Sequence, residues 1–288
     1  MVLCYMKKII CIIIKYANSK SKSIYTFILK IIKKIKDLYY EKYPKFLLKP
    51  DVCVIVASYN YDKFIKETLY SLVNQTLKIN DIIVIDDGST DNSVNIIKEF
   101  AKKFDNVKLL QHKDKKNHGL AESIKYAIST SQNKWIAFCE SDDVWDKYHF
   151  EYLVKKINQC KEKGIYASKI ELLTNFRSEF HEQYLTQSDL VLSEMDGRNI
   201  FDKMKYSNIL PTFSAICVPK IIIEKCDFNS FIPQYIDYWL WRQITNKYNV
   251  FYSKKSVTCW RRHEGSWDER ANVSNIEKFL KENDKILN

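Results

Sequence analysis

Downstream of residue 50, the chain alternates short apolar runs with longer stretches whose apolar residues recur at helical spacing. Four apolar runs of strand length lie at 52–57, 82–85, 107–110 and 135–139. Strands that alternate with helices predict βαβ units and a Rossmann-like, mostly parallel sheet flanked by helices, which is an α/β fold. In such sheets a ligand binds beyond the carboxyl ends of the strands.

The second half of the chain follows the pattern less regularly. An apolar run with a polar centre at 210–218 predicts a strand, which either lines an acceptor pocket or only belongs to the core. Residues 233–244 are predicted to form the beginning of a helix, and residues 250–259 are predicted to form another strand. We therefore expect one domain with two halves, 50–160 and 161–270.

The first fifty residues are basic and amphipathic. Apolar residues from Ile24 to Tyr39 recur at helical spacing with lysines mostly between them, which predicts a helix that ends before Pro44. This part of the chain has twelve lysines and two acids, a net charge of 12 − 2 = +10. We expect segment 1–49 to bind an anionic membrane surface peripherally, since no run approaches the ~18 apolar residues that span a bilayer. The alternative is a helix packed on its own domain or on a partner protein.

Composition narrows the class of protein. The 288 residues are 46% apolar and 28% charged with only 5 Gly and 5 Pro, which is typical of a globular domain. The whole chain carries +11, so the residues after the first fifty carry only +1, and we expect no nucleic-acid partner. The eight cysteines show no CxxC spacing, which favours a reducing, cytoplasmic location over a disulfide framework or zinc site. A charged helix is predicted at 271–288, where we find no recognisable chemistry.

The end of the fourth apolar run carries a cluster of acids. Glu140, Asp142 and Asp143 fall within four residues, with Ser141 between them. Carboxylates this close repel one another, and a bound divalent cation relieves that repulsion at a sheet edge. The alternative is a solvated turn that leads into the acidic start of a helix.

Polar residues also follow the other predicted strands. Ser58 and Tyr59 follow the first strand, where a hydroxyl and an aromatic ring suit a planar base. Asp86 and Asp87 follow the second, and a carboxylate there can accept the N–H of a uracil-type base. The hydroxyls and acid at 89–91 are better explained as helix caps, and the loop at 117–119 as a turn with a structural histidine.

Three motifs at these strand ends carry a family resemblance. VCVIVASYN, NQTLKINDIIVIDDGSTDNS and KWIAFCESDDVW occur in order and at matching spacing over about residues 51–160. Together they resemble the N-terminal half of the family 2 glycosyltransferases, which have the GT-A fold. The chain departs from that family at Ile124 and Lys125, where relatives often have Arg and Asn, and at Glu140, where the usual acid is Asp.

The resemblance implies a site for a nucleotide-sugar donor, usually a UDP-sugar. Tyr59 would lie against the base and Asp87 would accept from it. The third, DxD-like motif would bind the ribose and, through Asp142 and Asp143, the Mg²⁺ or Mn²⁺ that bridges the diphosphate. The donor-binding residues implied in these motifs are Ala57, Ser58, Tyr59, Asp86, Asp87, Glu140, Ser141 and Asp142.

A single carboxylate stands among aromatic residues in the second half. Asp237 lies beside two tyrosines and near Trp239 and Trp241, and desolvation by such neighbours raises the pKa of an acid towards the range of a general base. The segment also resembles the family's ED-type motif, with Ile236 in the place of Glu. The alternative is a helix N-cap. We expect the two tryptophans to be divided between the core and a sugar-stacking wall.

Arginine is concentrated near the end of the chain. Only six arginines occur, and four of them lie between residues 242 and 270. Arg261 and His263 match a family segment of the form RxH, and guanidinium groups pair with phosphate oxygens. We expect both residues to contact the diphosphate or to belong to a mobile lid. The alternative is a solvated loop.

Together these patterns predict a metal-dependent, inverting glycosyltransferase at the inner face of a membrane. Its acceptor would be a hydroxyl of a glycan or of a lipid-linked molecule, as in cell-surface polysaccharide synthesis, with Asp237 as the base. A nucleotidyltransferase is an alternative, although the segment after the first strand lacks a Gly-rich, basic phosphate loop. The other alternative is a non-catalytic, membrane-associated scaffold that retains the fold.

Overall fold

The structure is a computed structural model that describes residues 51–173, 179–229 and 233–263. Its strands are β1 (Val52–Ser58), β2 (Asp81–Asp86), β3 (Val107–Gln111), β4 (Trp135–Phe138), β5 (Val144–Trp145), β6 (Gly164–Leu173), β7 (Ile216–Pro219) and β8 (Asn249–Arg261). Its helices are α1 (Ile65–Val73), α2 (Ser93–Lys103), α3 (Leu120–Thr130), α4 (His149–Cys160), α5 (Glu179–Glu194), α6 (Phe201–Met204), α7 (Lys220–Ile223) and α8 (Ile236–Thr245). The helices predicted within 1–49 and at 271–288 lie outside the described residues.

The strands of the described residues form one sheet in the order β3-β2-β1-β4-β7-β6-β8-β5. The first four strands pair in parallel, which confirms the predicted βαβ arrangement. β7 runs antiparallel to β4 and β6, β6 and β8 are parallel, and β5 is antiparallel to β8. Strands from both predicted halves therefore share a single sheet.

The central strands are apolar on both faces because helices cover both. β2 is buried at every position and β1 at all but Ala57. Burial on both faces explains why these strands read as continuous apolar runs. No helix among the described residues is long and apolar enough to cross a membrane.

The tryptophans of α8 belong to the core. Trp239 is 1% exposed and Trp241 is fully buried, in one apolar cluster with residues of α3 and of the sheet. The prediction that one of them contributes to a sugar-stacking wall is therefore wrong. Trp239 and Trp241 instead help to pack α8 against the sheet.

The strand predicted at 210–218 forms only over its second part. Thr212 Oγ1 accepts a hydrogen bond from the Ser214 backbone N–H at 3.0 Å, and Phe213–Ala215 forms a 3₁₀ turn before β7 begins. A hydroxyl that bonds to a nearby backbone N–H competes with strand pairing. Because β7 runs antiparallel to β4, this turn lies at the carboxyl end of β4.

The carboxyl ends of the parallel strands meet at one edge of the sheet. Ser58 of β1 is in register with Asp86 of β2, which is in register with Gln111 of β3. Ile55 of β1 pairs with Phe138 at the end of β4. The residues that follow these strands are thereby brought together.

Candidate active site

A cavity of about 970 Å³ opens at this edge of the sheet. Its volume is within the range of small-molecule sites. The predicted site residues that line it are Ala57, Ser58, Tyr59, Asp87, Glu140, Ser141, Asp142, Asp237, Arg261 and His263. Asp86 and Asp143 are not among the lining residues, and both are fully buried.

The loops that follow β1 and β2 are tied to each other by hydrogen bonds. Asn60 Oδ1 accepts from the backbone N–H of Thr90 at 2.8 Å. Three successive backbone N–H groups donate in the other direction, from Asn60 to Ser89 Oγ (2.9 Å), from Tyr61 to Ser93 Oγ (3.0 Å) and from Asp62 to Asp91 Oδ2 (2.9 Å). The second motif thus fixes the loop that carries Tyr59, whose side chain remains 44% exposed at the cavity.

Asp87 joins the second strand end to the third. Its Oδ1 accepts from the His118 backbone N–H at 2.8 Å and its Oδ2 from the Gly119 N–H at 2.9 Å. Each carboxylate oxygen can accept a second hydrogen bond. Acceptance of an N–H from a nucleotide base, as predicted for Asp87, is therefore compatible with these contacts and stays a prediction.

Gly88 permits the close approach of the same loop. Its φ is +79°, and a Cβ there would lie 2.7 Å from the carbonyl carbon of Lys116 and 2.8 Å from the backbone nitrogen of Asn117. Any side chain would displace the loop that contacts Asp87. The glycine of the second motif is therefore needed for both its backbone conformation and its lack of a Cβ.

A histidine pair lies behind Asp87. His112 Nε2 is 2.8 Å from Ser123 Oγ and 3.5 Å from Asp87 Oδ1, and its ring stacks on that of His118 with the centroids 4.0 Å apart. His118 Nε2 is 2.9 Å from Asp114 Oδ1. These contacts agree with the structural role predicted for His118, and they place Ser123 in the cavity wall.

Two acids of the third motif share one hydroxyl. Glu140 Oε2 accepts from Thr212 Oγ1, and Asp143 Oδ2 lies 3.2 Å from the same oxygen. Burial, followed by repulsion from Asp143 and Asp142, raises the pKa of Glu140 well above its usual range. Burial and the charge of Asp142 raise the pKa of Asp143 to about 8. Burial and mutual repulsion thus favour the protonated forms of this pair, and both acids lie against Thr212.

Asp142 lies in the cavity wall next to His263. The distance from Asp142 Oδ2 to His263 Nε2 is 3.2 Å. Adjacent ligands of a cation bound at about 2.1 Å lie roughly 3 Å apart, so this pair fits one divalent ion. Among the described residues no group of three or more His, Cys, Asp or Glu side chains has the arrangement of a metal site. Further ligands would have to come from a diphosphate and water.

Asp143 is bonded inside the protein. Its Oδ1 accepts from the Arg261 backbone N–H at 2.8 Å, and its Oδ2 contacts Thr212. Direct metal ligation by Asp143, as predicted, would require the carboxylate to turn away from these partners. Asp86 is also bonded internally, with Oδ1 accepting from the Ser89 N–H at 3.1 Å.

Arg261 is bound to the protein on several sides. Its Nε donates to the backbone carbonyl of Asp142 at 2.7 Å, and its Nη2 pairs with Glu67 Oε2 at 2.5 Å. Its guanidinium lies 5.2 Å from the centroid of the Phe64 ring, which also contacts the ring of His263 at 4.5 Å. The end of β8 is thus attached to α1 and to the acidic motif. Arg261 therefore does not lie in a solvated loop, which was the alternative to a role at the site.

Asp237 begins α8 and lines the cavity. Its Oδ2 accepts from Asn208 Nδ2 at 3.0 Å. Burial raises the pKa of Asp237 to about 7, although the hydrogen bonds it accepts oppose that shift. A carboxylate with this pKa is able to accept a proton near neutral pH.

Comparison with known proteins identifies the family. Residues 53–206, which are more than half of the 288 residues, match the family described as glycosyl transferase family 2. The chain belongs to that family. The predicted resemblance is therefore confirmed.

Two curated relatives show how far this similarity extends. An uncharacterized glycosyltransferase of Haemophilus influenzae is 25% identical over 197 residues, which are 68% of this chain and 60% of that protein. Glycosyltransferase GlyG of Streptococcus pneumoniae is 30% identical over 170 residues, 57% of this chain and 56% of GlyG. The chain thus spans somewhat more than half the length of these relatives.

Solved structures share the fold at low sequence identity. S. aureus TarS 1-349 in complex with UDP-GlcNAc superposes with a TM-score of 0.58 at 18% identity, covering 81% of this chain and 65% of that one. The mannosyltransferase PcManGT of Pyrobaculum calidifontis in complex with GDP-Man and Mn²⁺ superposes with a TM-score of 0.51 at 14% identity, covering 81% and 66%. The predicted GT-A fold is confirmed.

Two residues that contact acids of the site were not predicted from the sequence of this family 2 member. Thr212 bridges the acids of the third motif, and Asn208 binds Asp237. The polar centre of the apolar run 210–218 was a signal for Thr212. Asn208 lies in a stretch, 171–208, that has no recognisable motif, so only its contact in the fold reveals it.

Proposed function

We propose that the protein transfers a sugar from a nucleoside diphosphate sugar, most suitably a UDP-sugar, to a hydroxyl of a glycan or lipid-linked acceptor, with inversion. One observation carries this proposal. A single cavity is lined by Asp87 of the second motif, Asp142 of the third and Asp237 of the second half. Family membership and two neighbours with bound nucleotide sugars support the same class of donor.

The donor would bind across the tips of β1, β2 and β4. Tyr59 would contact the base, Asp87 would accept its N–H, and Glu140, Ser141 and Asp142 would lie towards the ribose and diphosphate. The tied loops hold these groups in place before the donor arrives, which reduces the entropy lost on binding.

Asp142 and His263 would hold a Mn²⁺ or Mg²⁺ ion, with Asp143 behind them. When bound, such an ion supplies positive charge that stabilises the departing diphosphate. The 3.2 Å separation of the two side chains and the Mn²⁺ of the mannosyltransferase neighbour support this assignment. Arg261 would face the same diphosphate after exchanging Glu67 for a phosphate oxygen.

Asp237 would act as the base. Its carboxylate takes the proton of the acceptor hydroxyl while the acceptor oxygen forms a bond to the anomeric carbon. The bond from that carbon to the diphosphate breaks, and its electron pair leaves with the nucleoside diphosphate. A single displacement of this kind inverts the anomeric carbon. The raised pKa of Asp237, about 7, suits a group that must take up a proton near neutral pH.

Segment 1–49, with most of the net positive charge, would keep the enzyme on the anionic inner face of a membrane. Deletion of 1–49 should then release the protein from vesicles that contain anionic lipid, as measured by sedimentation. Retention of the deleted protein on such vesicles would contradict this part of the proposal.

Thermal unfolding with UDP, GDP and CDP, each with and without Mn²⁺, tests the donor site. We expect UDP with Mn²⁺ to raise Tm most, because a ligand that binds only the folded state stabilises it. Asp142→Asn should abolish the Mn²⁺-dependent part of the shift. No shift with any of the three nucleotides would favour the non-catalytic scaffold.

A further inference from the structure

We propose that Asn208 is a positioning residue that orients the carboxylate of Asp237 for proton transfer from the acceptor. The inference rests on the function proposed above, because it concerns the base of that reaction. Asn208 lies between α6 and β7, within the part of the chain where the sequence shows no motif.

The contact between the two side chains is directional. Asn208 Nδ2 donates to Asp237 Oδ2 at 3.0 Å, and Asp237 lines the cavity. A hydrogen bond to one carboxylate oxygen fixes the plane of the group and leaves the other oxygen, Oδ1, to take the proton. Without that bond only backbone hydrogen bonds, from Tyr238 and from Asp237 itself, would restrain rotation of the carboxylate about its χ2 angle.

Two other contacts fix Asn208. Its Oδ1 accepts from the Leu210 backbone N–H at 3.3 Å, and its backbone carbonyl accepts from the hydroxyl of Tyr184. A backbone N–H can only donate, so the amide oxygen must face Leu210 and the NH₂ group must face Asp237. The orientation of the amide is therefore determined by its partners.

The titratable groups around Asp237 are acids whose pKa values are raised by burial, so none of them offers it a positive charge. The titratable groups that interact with it are Glu140 of the acidic motif, Tyr184 of α5 and Tyr235 before α8. Each is an acid, and a negative charge on any of them would oppose ionisation of Asp237. The hydrogen bonds that favour the ionised form and lower its pKa come from the Tyr238 backbone, the Asn208 side chain and the Asp237 backbone, so Asn208 is the side-chain donor among them.

Asn199 provides a matched control. Its Oδ1 accepts from the backbone N–H two residues later, at Phe201 (2.8 Å), and its Nδ2 donates to the backbone carbonyl of Thr245 (2.5 Å). Asn199 thus resembles Asn208 in accepting from a backbone N–H two residues later, but its Nδ2 faces backbone carbonyls, of Thr245 and at 3.4 Å of Tyr248, and not a carboxylate. It does not line the cavity.

The first test is the pH dependence of turnover, with a panel of UDP-sugars and released UDP as the readout. Asn208→Ala should move the acid limb of kcat upward by about one pH unit, because a hydrogen bond to a charged group is lost. Asn208→Asp, which keeps the shape, should move it further, since two carboxylates then lie side by side. Both variants should approach wild-type kcat at high pH, whereas Asn199→Ala should leave the limb in place.

The second test requires no activity. Tm is measured at pH 5 and pH 8.5 for Asn208→Ala, Asp237→Asn and the double variant. Asn208→Ala should lower Tm more in the wild-type background than in Asp237→Asn at pH 8.5, and this excess should shrink at pH 5, where Asp237 is protonated. Asn199→Ala should lower Tm by the same amount in the wild-type and Asp237→Asn backgrounds.

An acid limb that stays in place in both Asn208 variants, or that moves equally in Asn199→Ala, would overturn the inference. Equal Tm losses of Asn208→Ala in both backgrounds at pH 8.5 would also overturn it. If the wild-type enzyme releases UDP from no sugar donor, the proposed function fails. The Tm comparison then decides by itself whether Asn208 stabilises the ionised carboxylate.

Discussion

The carboxylates on the two sides of the cavity differ in their hydrogen bonding and in their pKa values. At the tips of β1 and β2, Asp87 and Asp91 accept backbone N–H groups and hold loops together. On the other wall, desolvation raises the pKa values of the lining acids Glu140 and Asp237 and of Asp143 behind them. Acids on the first wall build the binding surface, whereas those on the second are kept ready to exchange protons. Substitutions should therefore affect binding and stability on the first wall and turnover on the second.

The largest effect is expected at Asp237. Asp237→Asn keeps the shape of the side chain but removes the base, so kcat should fall by about 10²–10⁴-fold. Donor binding, measured by calorimetry with UDP and Mn²⁺, should change little because Asp237 is assigned to the acceptor side. Full activity of this variant would show that another group takes the proton.

The next largest effect is expected on the first wall, at Gly88. Gly88→Ala combines an unfavourable φ with a Cβ 2.7 Å from the Lys116 backbone, so it should lower the free energy of unfolding by about 3 kcal/mol or more. Gly119→Ala is the control, because its φ is also positive but its Cβ would meet nothing within 4 Å. At φ 88° and ψ 158°, Gly119 has a backbone conformation that other residues rarely adopt, so that variant should cost about 1–3 kcal/mol from backbone strain alone. Equal losses in urea unfolding would argue against the close approach at Gly88.

The third prediction concerns stability and pH on the second wall. The pKa of Asp237 in the folded protein, about 7, lies above 3.8, the ordinary value of an aspartate. The stability contributed by its protonated form is therefore fully present below pH 3.8 and is lost as pH rises through about 7. Asp237→Asn lacks this loss, so it should exceed wild type in unfolding free energy by on the order of 2 kcal/mol at pH 8.5.

The difference between Asp237→Asn and wild type should stay nearly constant above about pH 7 and shrink as the pH is lowered from about 7 to about 4. Chemical unfolding at several pH values measures it, and the titration of Asp143, common to both proteins, largely cancels. A difference that does not vary with pH would mean that the carboxylate is not held in a desolvated state.

The smallest effect is expected at Ser89 on the first wall. Ser89→Ala removes the oxygen that accepts the Asn60 N–H, and an exposed contact of this kind contributes about 0.5–1 kcal/mol. The affinity for UDP should weaken correspondingly, because the loop that carries Tyr59 loses one attachment. Ser129→Ala is the control, since that hydroxyl bonds only within α3, to the Tyr126 carbonyl. If the two variants bind UDP alike, the attachment at Ser89 does not contribute to donor binding.

The parallel part of the sheet was predictable because its signal is local. β1, β2, β3 and β4 are apolar runs of strand length, and each appeared within a residue or two of its predicted bounds. The polar residues that follow these strands were predictable for the same reason, since parallel strands end at one edge. The turn at Phe213–Ala215 was not predictable from the apolar pattern, which is typical of a strand. It forms where the Thr212 hydroxyl accepts a hydrogen bond from the Ser214 backbone N–H.

The sequence by itself determined where along the chain the motif-bearing strands occur and which kinds of side chain follow each of them. Only the tertiary structure decided which acids face the cavity. Asp142 and Asp143 are neighbours in the chain, yet one lines the cavity while the other is buried against Thr212 and the Arg261 backbone. Asn208 and Asp237 lie 29 residues apart and meet through their side chains. Such pairings depend on long-range packing between distant segments, and the local sequence of one segment does not indicate which other segment it will contact.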